Sequence, residues 1–207
     1  MRLIYSNKFK VVVEQPPSCR SVKIVSNRFN LNRNFFLSFP YVVYALDKKD
    51  FILQVGFRNK PTNKKDFEDG GIYLPPLPNV YSDDLETCLG DNVPESAKEE
   101  KWDIRKMISV FWQSTFIEDE ESWVSVDSCY SSFSKVARKQ AIHPRFKDTP
   151  SEGGYYIWEA LSKKDPNFVL KMDWPKPRAY SRDSAKVESV IDFTFVDLNG
   201  NQNEWVN

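Results

Sequence analysis

Residue types that can cooperate in acyl transfer lie together in Leu77-Pro78-Asn79-Val80-Tyr81-Ser82-Asp83-Asp84-Leu85-Glu86-Thr87-Cys88-Leu89-Gly90. Cys88 offers a sulfur nucleophile, active to the extent that something positions it and favours the thiolate. Asn79 offers a carboxamide that can donate to a developing oxyanion. Asp83, Asp84, Glu86 and Asp91 surround the sulfur with negative charge, which disfavours the thiolate. Such a thiol suits acceptance of an acyl group by exchange better than the attack of a strongly activated protease cysteine. The competing reading is a buried Cys88 that fills space.

The flanking elements must hold this stretch. Residues from Leu3 to Val13 carry two apolar clusters, read as a strand or an N-terminal arm, and Gln15-Pro16-Pro17-Ser18 is a break. The aromatic and β-branched run from Phe35 to Leu46 is the strongest β signal, with Pro40 suited to an edge or bulge. Asp47-Lys48-Lys49-Asp50 is a turn, and Phe51 to Phe57 completes a β-hairpin. Asn59 to Gly71 is a polar loop, and Ile72-Tyr73-Leu74 is a short strand ahead of Pro75, Pro76 and Pro78.

Behind the cysteine, the sequence predicts a helix from near Pro94-Glu95. Its core stripe is Ile104, Met107, Ile108 and Phe111, extended by Trp112. Helices are also predicted over Phe133 to Ala141 and Tyr155 to Lys164, with Pro150 to Gly154 as a break. Phe168 to Met172 and Val187 to Val196 read as strands, Trp174 to Asp183 as a loop, and the tail from Asn199 as frayed.

This layout resembles ubiquitin-conjugating enzymes, whose active-site stretch runs His-Pro-Asn, a short turn, then Cys-Leu. Leu77-Pro78-Asn79 matches the tripeptide, with leucine in place of histidine, and Cys88-Leu89 matches the cysteine. The segment from Asn79 to Cys88 is one residue longer than that pattern. Trp102-Asp103-Ile104 is similar to the tryptophan that opens the following helix. A closer resemblance is to the divergent bacterial branch of plasmid-borne PRTRC systems (protein B). Asn79-Val80-Tyr81, Cys88-Leu89-Gly90 and Phe111-Trp112-Gln113-Ser114-Thr115-Phe116 carry it.

The resemblance covers roughly Phe35 to Phe116. It implies an α+β fold: an antiparallel β-meander followed by helices, with N- and C-terminal additions. The chain is expected to form a single domain over 1–207, with a core near 35–116 and an extension over 117–207. Cys88 would accept the C-terminal carbonyl of a ubiquitin-like protein from an activating enzyme. Asn79 would support the loop or the oxyanion, and Asp84 or Asp91 would orient the attacking amine. A degenerate version would instead be a protein-binding scaffold. A phage, plasmid or other mobile element is the source this implies, and the Lys- and Asn-rich composition agrees with it.

Composition narrows the alternatives. Lysine plus arginine equals aspartate plus glutamate, 29 of each, so no overall field holds the chain on phosphate or anionic lipid. With 7 glycines and no G-x-G-x-x-G or P-loop pattern, no nucleotide cofactor is expected. Cys19, Cys88 and Cys129 lie far apart and His143 is the only histidine, so neither a disulfide framework nor a zinc site is expected. His143 reads as a surface residue before a turn proline, and Glu118-Asp119-Glu120-Glu121 as a solvated loop. With no apolar run near membrane length, a soluble, cytoplasmic protein is the expectation.

Two non-catalytic classes stay open. One is an interaction protein of a phage or mobile element with an unidentified protein partner. The other is a single-stranded nucleic-acid module, on Lys135, Arg138, Lys139, Arg145, Lys147, Lys163, Lys164, Lys171, Lys176, Arg178 and Arg182 with Tyr155, Tyr156, Trp158, Trp174 and Tyr180 interleaved. The balanced charge disfavours the second.

Overall fold

The computed structural model describes residues 1–26, 30–62, 71–89, 93, 103–118, 126–141 and 150–176. The chain opens with a hairpin of β1 (Arg2–Ser6) and β2 (Lys10–Gln15). Asn7 closes its turn, its side-chain oxygen accepting from the N–H groups of Phe9 at 2.8 Å and Lys10 at 2.6 Å. The two prolines after Gln15 end that ladder, and β3 (Ser18–Ser26) pairs antiparallel with β4 (Leu31–Phe39).

Pro40 has no N–H to give a ladder, and the strand breaks there. On its far side β5 (Tyr41–Asp47) belongs to the other sheet, so the run from Phe35 to Leu46 is two strands. Asp47 caps the next turn by accepting from Lys49 N at 2.7 Å and Asp50 N at 3.1 Å, and β6 (Leu53–Arg58) returns antiparallel to β5.

After the candidate site come α1 (Ile104–Gln113), β7 (Phe116–Glu118), α2 (Asp127–Lys139), α3 (Pro150–Lys164) and a 3-10 helix (Pro166–Lys171). One sheet is antiparallel in the order β1-β2-β5-β6. The other has the order β4-β3-β7, with β7 parallel to β3. The architecture is the expected α+β meander with helices after it. The strands ahead of Phe35 are woven into both sheets.

The core follows period-2 burial. Val22 and Ile24 of β3, Phe35, Leu37 and Phe39 of β4, Val42 and Tyr44 of β5, and Val55 and Phe57 of β6 share one cluster with α1, α2 and α3. Trp158, Phe168 and Trp174 belong to the same cluster. Trp158 and Trp174 lie 5.6 Å apart, and Trp174 sits edge-on to Phe57 at 5.1 Å. Tyr155, Trp158 and Trp174 are therefore packed inside and are not platforms for bases, which removes the main support for the nucleic-acid reading.

Three local readings are corrected. Residues Pro150 to Gly154 form the first turn of α3, where a proline costs nothing because its missing N–H has no helical partner. The Phe168 segment is a 3-10 helix, capped by Asp165 accepting from Asn167 N at 3.1 Å, with Pro166 in its first turn. The helix around Phe133 starts earlier, at Asp127. The described part of the helix behind the cysteine begins at Ile104, capped by Asp103 accepting from Lys106 N at 2.9 Å. Its expected start at Pro94-Glu95 lies outside the described residues, as do Trp102, His143, Asp119 to Glu121, the Val187 to Val196 strand and the tail. Among the described residues no helix is long and apolar enough to cross a membrane.

β4 is an outer strand, and side chains of α3 satisfy its free edge. Phe36 N donates to Glu159 Oε1 at 3.0 Å, Ser38 N donates to Ser162 Oγ at 2.8 Å, and Trp158 Nε1 donates to Ser38 O at 2.9 Å. Burial alone would raise the Glu159 carboxyl. The Phe36 N–H, Lys163 at 3.3 Å and Arg33 at 3.0 Å outweigh it and hold the carboxyl below its usual range. A depressed carboxyl contributes stability that is present above its unfolded value, near about 4.3, and is lost as pH falls through the folded value. Glu159→Gln should therefore cost about 1–2 kcal/mol at neutral pH, from the weakened hydrogen bonds. The gap from the parent should close as pH drops below the carboxylate range, read by urea unfolding at stepped pH.

Candidate functional site

The candidate stretch is a further, shorter hairpin laid against the edge of β6. Val80 and Thr87 form an antiparallel bridge. Tyr81 N donates to Glu86 O at 2.8 Å, and Cys88 N donates to Asn79 O at 2.9 Å. This register sets Asn79 opposite Cys88 and Tyr81 opposite Glu86, and it makes Tyr81 a diagonal neighbour of Cys88. The turn between them is Ser82-Asp83-Asp84-Leu85. Asp84 Oδ1 accepts from Glu86 N at 2.9 Å, and Ser82 Oγ donates to Asp83 at 3.0 Å.

Leu85 completes the turn at a φ of 65°, a conformation that disfavours a branched side chain. Two contacts outweigh that strain. Its side chain is buried, and its carbonyl accepts from Val55 N at 2.9 Å.

β6 holds both flanks. Thr87 donates to Leu53 O through its backbone N–H and its hydroxyl, each at 2.9 Å, and Gln54 Nε2 donates to Asp84 O at 2.9 Å. Further along the same edge, Phe57 and Tyr73 exchange backbone bonds of 2.9 and 2.8 Å. The proline-bearing stretch and the turn are thus pinned at both ends to one strand. Gly56 makes this possible, because a Cβ there would run into the Ile72 side chain. Leu74 N donates to Pro175 O at 2.8 Å, tying the far end of the described chain to the same stretch.

Cys88 is half-buried. Asn79 is 8 % exposed, and its carboxamide faces the strand after α1. Its Nδ2 donates to Thr115 O at 3.2 Å and lies 3.4 Å from Ser114 Oγ, while Oδ1 accepts from Ile117 N at 3.2 Å. The backbone carbonyl of Asn79, rather than its amide, meets the cysteine strand.

Asp84 sits half-buried on the turn; Gly90 and Asp91 lie outside the described residues. Leu77, in the histidine position, is fully buried. Cys19 is exposed on β3, and Cys129 is sealed within α2, where burial pushes its thiol up to about 12.

Tyr81 was given no role beside the sulfur from the sequence, and Glu86 was read there only as part of the acidic surroundings. The Tyr81 phenol is pushed up by burial, by the neighbouring Cys88 thiol, and by Asp84 and Glu86. The Glu86 carboxyl is pushed up by burial and by Asp84. The signal was available: reading Asn79 to Cys88 as a hairpin with a four-residue turn places Tyr81 and Glu86 across from one another.

An antiparallel meander, a cysteine on a short loop docked along its last strand and an apolar helix behind it describe a ubiquitin-conjugating-like domain. The chain belongs to Prokaryotic E2 family D, whose pattern it matches over residues 2–152. No curated protein and no solved structure matches it.

Two substitutions check how the site is held. Asn79→Ala strips partners from Thr115 O and Ile117 N and should cost about 2 kcal/mol of unfolding free energy in urea. Gly56→Ala should cost about 1–3 kcal/mol by forcing Ile72 away from β6. It should also increase Cys88 accessibility to a maleimide more than that of Cys129.

Proposed function

We propose that the protein carries a ubiquitin-like modifier as a thioester on Cys88. The incoming carbonyl is attacked by the Cys88 sulfur, a new C–S bond forms, and the donor thiolate of an activating enzyme leaves. An amine then attacks, the C–S bond breaks, and the sulfur departs with its electron pair. Asn79 acts chiefly by clamping the loop to the segment after α1. An oxyanion role would require its amide to exchange Thr115 O for the substrate. Asp84, and Asp91 beyond it in sequence, orient the attacking amine.

The single observation that carries this reading is a partly accessible Cys88 held by a backbone bond to Asn79 on the rim of the sheet. The PRTRC protein B branch and a plasmid or phage setting fit the Asn79-Val80-Tyr81 and Cys88-Leu89-Gly90 motifs. The continuous core argues that residues 1–176 act as one unit, with Trp158 and Trp174 joined to the meander.

The test is to mix the protein with the adenylating enzyme and ubiquitin-like protein encoded beside it. A reducible adduct is expected, lost in Cys88→Ser and kept in Cys19→Ser and Cys129→Ser. With a competent donor pair, the absence of any adduct would leave a scaffold that binds the modifier without chemistry, a role compatible with the leucine at position 77.

A further inference from the structure

We propose that Tyr81 is a positioning residue for the reactive sulfur, its phenolic O–H donating to Cys88 and stabilising the negative charge on sulfur whenever the thiolate is exposed. This deepens the transfer reading above and rests on it for its purpose. The hairpin register makes Tyr81 and Cys88 diagonal neighbours on one face of the ladder, and the thiol is among the groups that push the Tyr81 phenol up. Tyr81 is 36 % exposed, whereas most aromatic rings among the described residues are buried. Its ring therefore has little packing purpose, and its hydroxyl sits on the rim beside the sulfur strand.

The rim explains why such a donor is useful. Asp84 and Glu86 face the same phenol, and their charge opposes a thiolate. A neutral donor adds stabilisation for sulfur without introducing a cation that would repel an incoming amine. During discharge the N–C bond forms and the C–S bond breaks. The sulfur takes the electron pair, the amine proton passes to solvent, and the Tyr81 O–H meets the new thiolate.

The experiment uses the full chain with Cys19→Ser, so that Cys88 is the accessible thiol and Cys129 stays silent in the core. The rate of alkylation by iodoacetamide is followed against pH. In that reaction the S–C bond forms, iodide leaves and the thiol proton goes to buffer. Tyr81→Phe keeps the ring and removes the hydroxyl. Its profile should move up by about one pH unit, with a roughly tenfold slower rate on the rising limb and an unchanged thermal melt.

A Tyr81→Phe profile that overlays its parent, or one that moves down, overturns the assignment. Glu86→Gln removes a neighbouring charge and leaves the hydroxyl, so its profile should stay or move down. An upward move there would mean that general disruption of the rim, and not the hydroxyl, sets the profile. No modifier or activating enzyme is needed, so a shifted profile without any adduct retains the contact and discards only the transfer reading.

Discussion

The outer edge of β6 is the constraint on which the candidate site depends. An open edge exposes unpaired N–H and C=O groups and invites pairing with other chains. Here Leu53 O, Val55 N and both backbone groups of Phe57 are bonded to Thr87, Leu85 and Tyr73. The loop that carries Cys88 thus completes the sheet with its own backbone. The loop needs only one strained residue, Leu85, and two short hydrogen-bonded contacts on either side to hold its shape. A side chain on such a loop is positioned almost as firmly as one on a strand, while its sulfur stays at the rim.

The same solution recurs at an edge of the other sheet with different parts. The free edge of β4 is closed by side chains of α3 and not by backbone, with Glu159 and Ser162 taking the N–H groups of Phe36 and Ser38. Trp158 supplies a donor to Ser38 O and also fills the core. A second buried polar set links Trp112 Nε1 to Tyr44 OH at 2.6 Å and Tyr44 OH to Gln15 at 3.2 Å, with Arg20 stacked 3.9 Å from the Trp112 ring. Burial pushes the Tyr44 phenol far above its usual range, so it stays protonated and can keep donating to Gln15. Helix α1 is therefore fixed to β5 by a polar bond as well as by its apolar stripe, and Asn79 is clamped to the segment that follows it.

Several elements were legible because their signal is local. The period-2 runs around Tyr44 and Val55, the Asp47 turn and the Ile104-Met107-Ile108-Phe111 stripe each reflect a face that must be buried. Elsewhere a packing demand overrode the local signal. Gly154 reads as a breaker, yet it lies inside α3 because a Cβ there would come within 2.7 Å of Val126. The Phe168 segment reads as a strand from its apolar residues, but the Asp165 cap with Pro166 in the first turn winds it into a 3-10 helix. The interleaved aromatics of the second half suggested a stacking surface only because composition does not say which way a ring faces.

From its residues alone the chain declared an α+β meander, a cysteine following a Pro-Asn turn and a helix behind it. These follow from short-range rules: side-chain alternation, turn chemistry and helical spacing. What only the tertiary structure decided is which atoms meet across the ladder. The bond from Cys88 N to Asn79 O, the turning of the Asn79 amide toward Thr115 and the place of Tyr81 diagonal to Cys88 depend on register and on the closure of β6. Register is a property of paired strands, and a slip of one residue would send every one of these side chains to the other face.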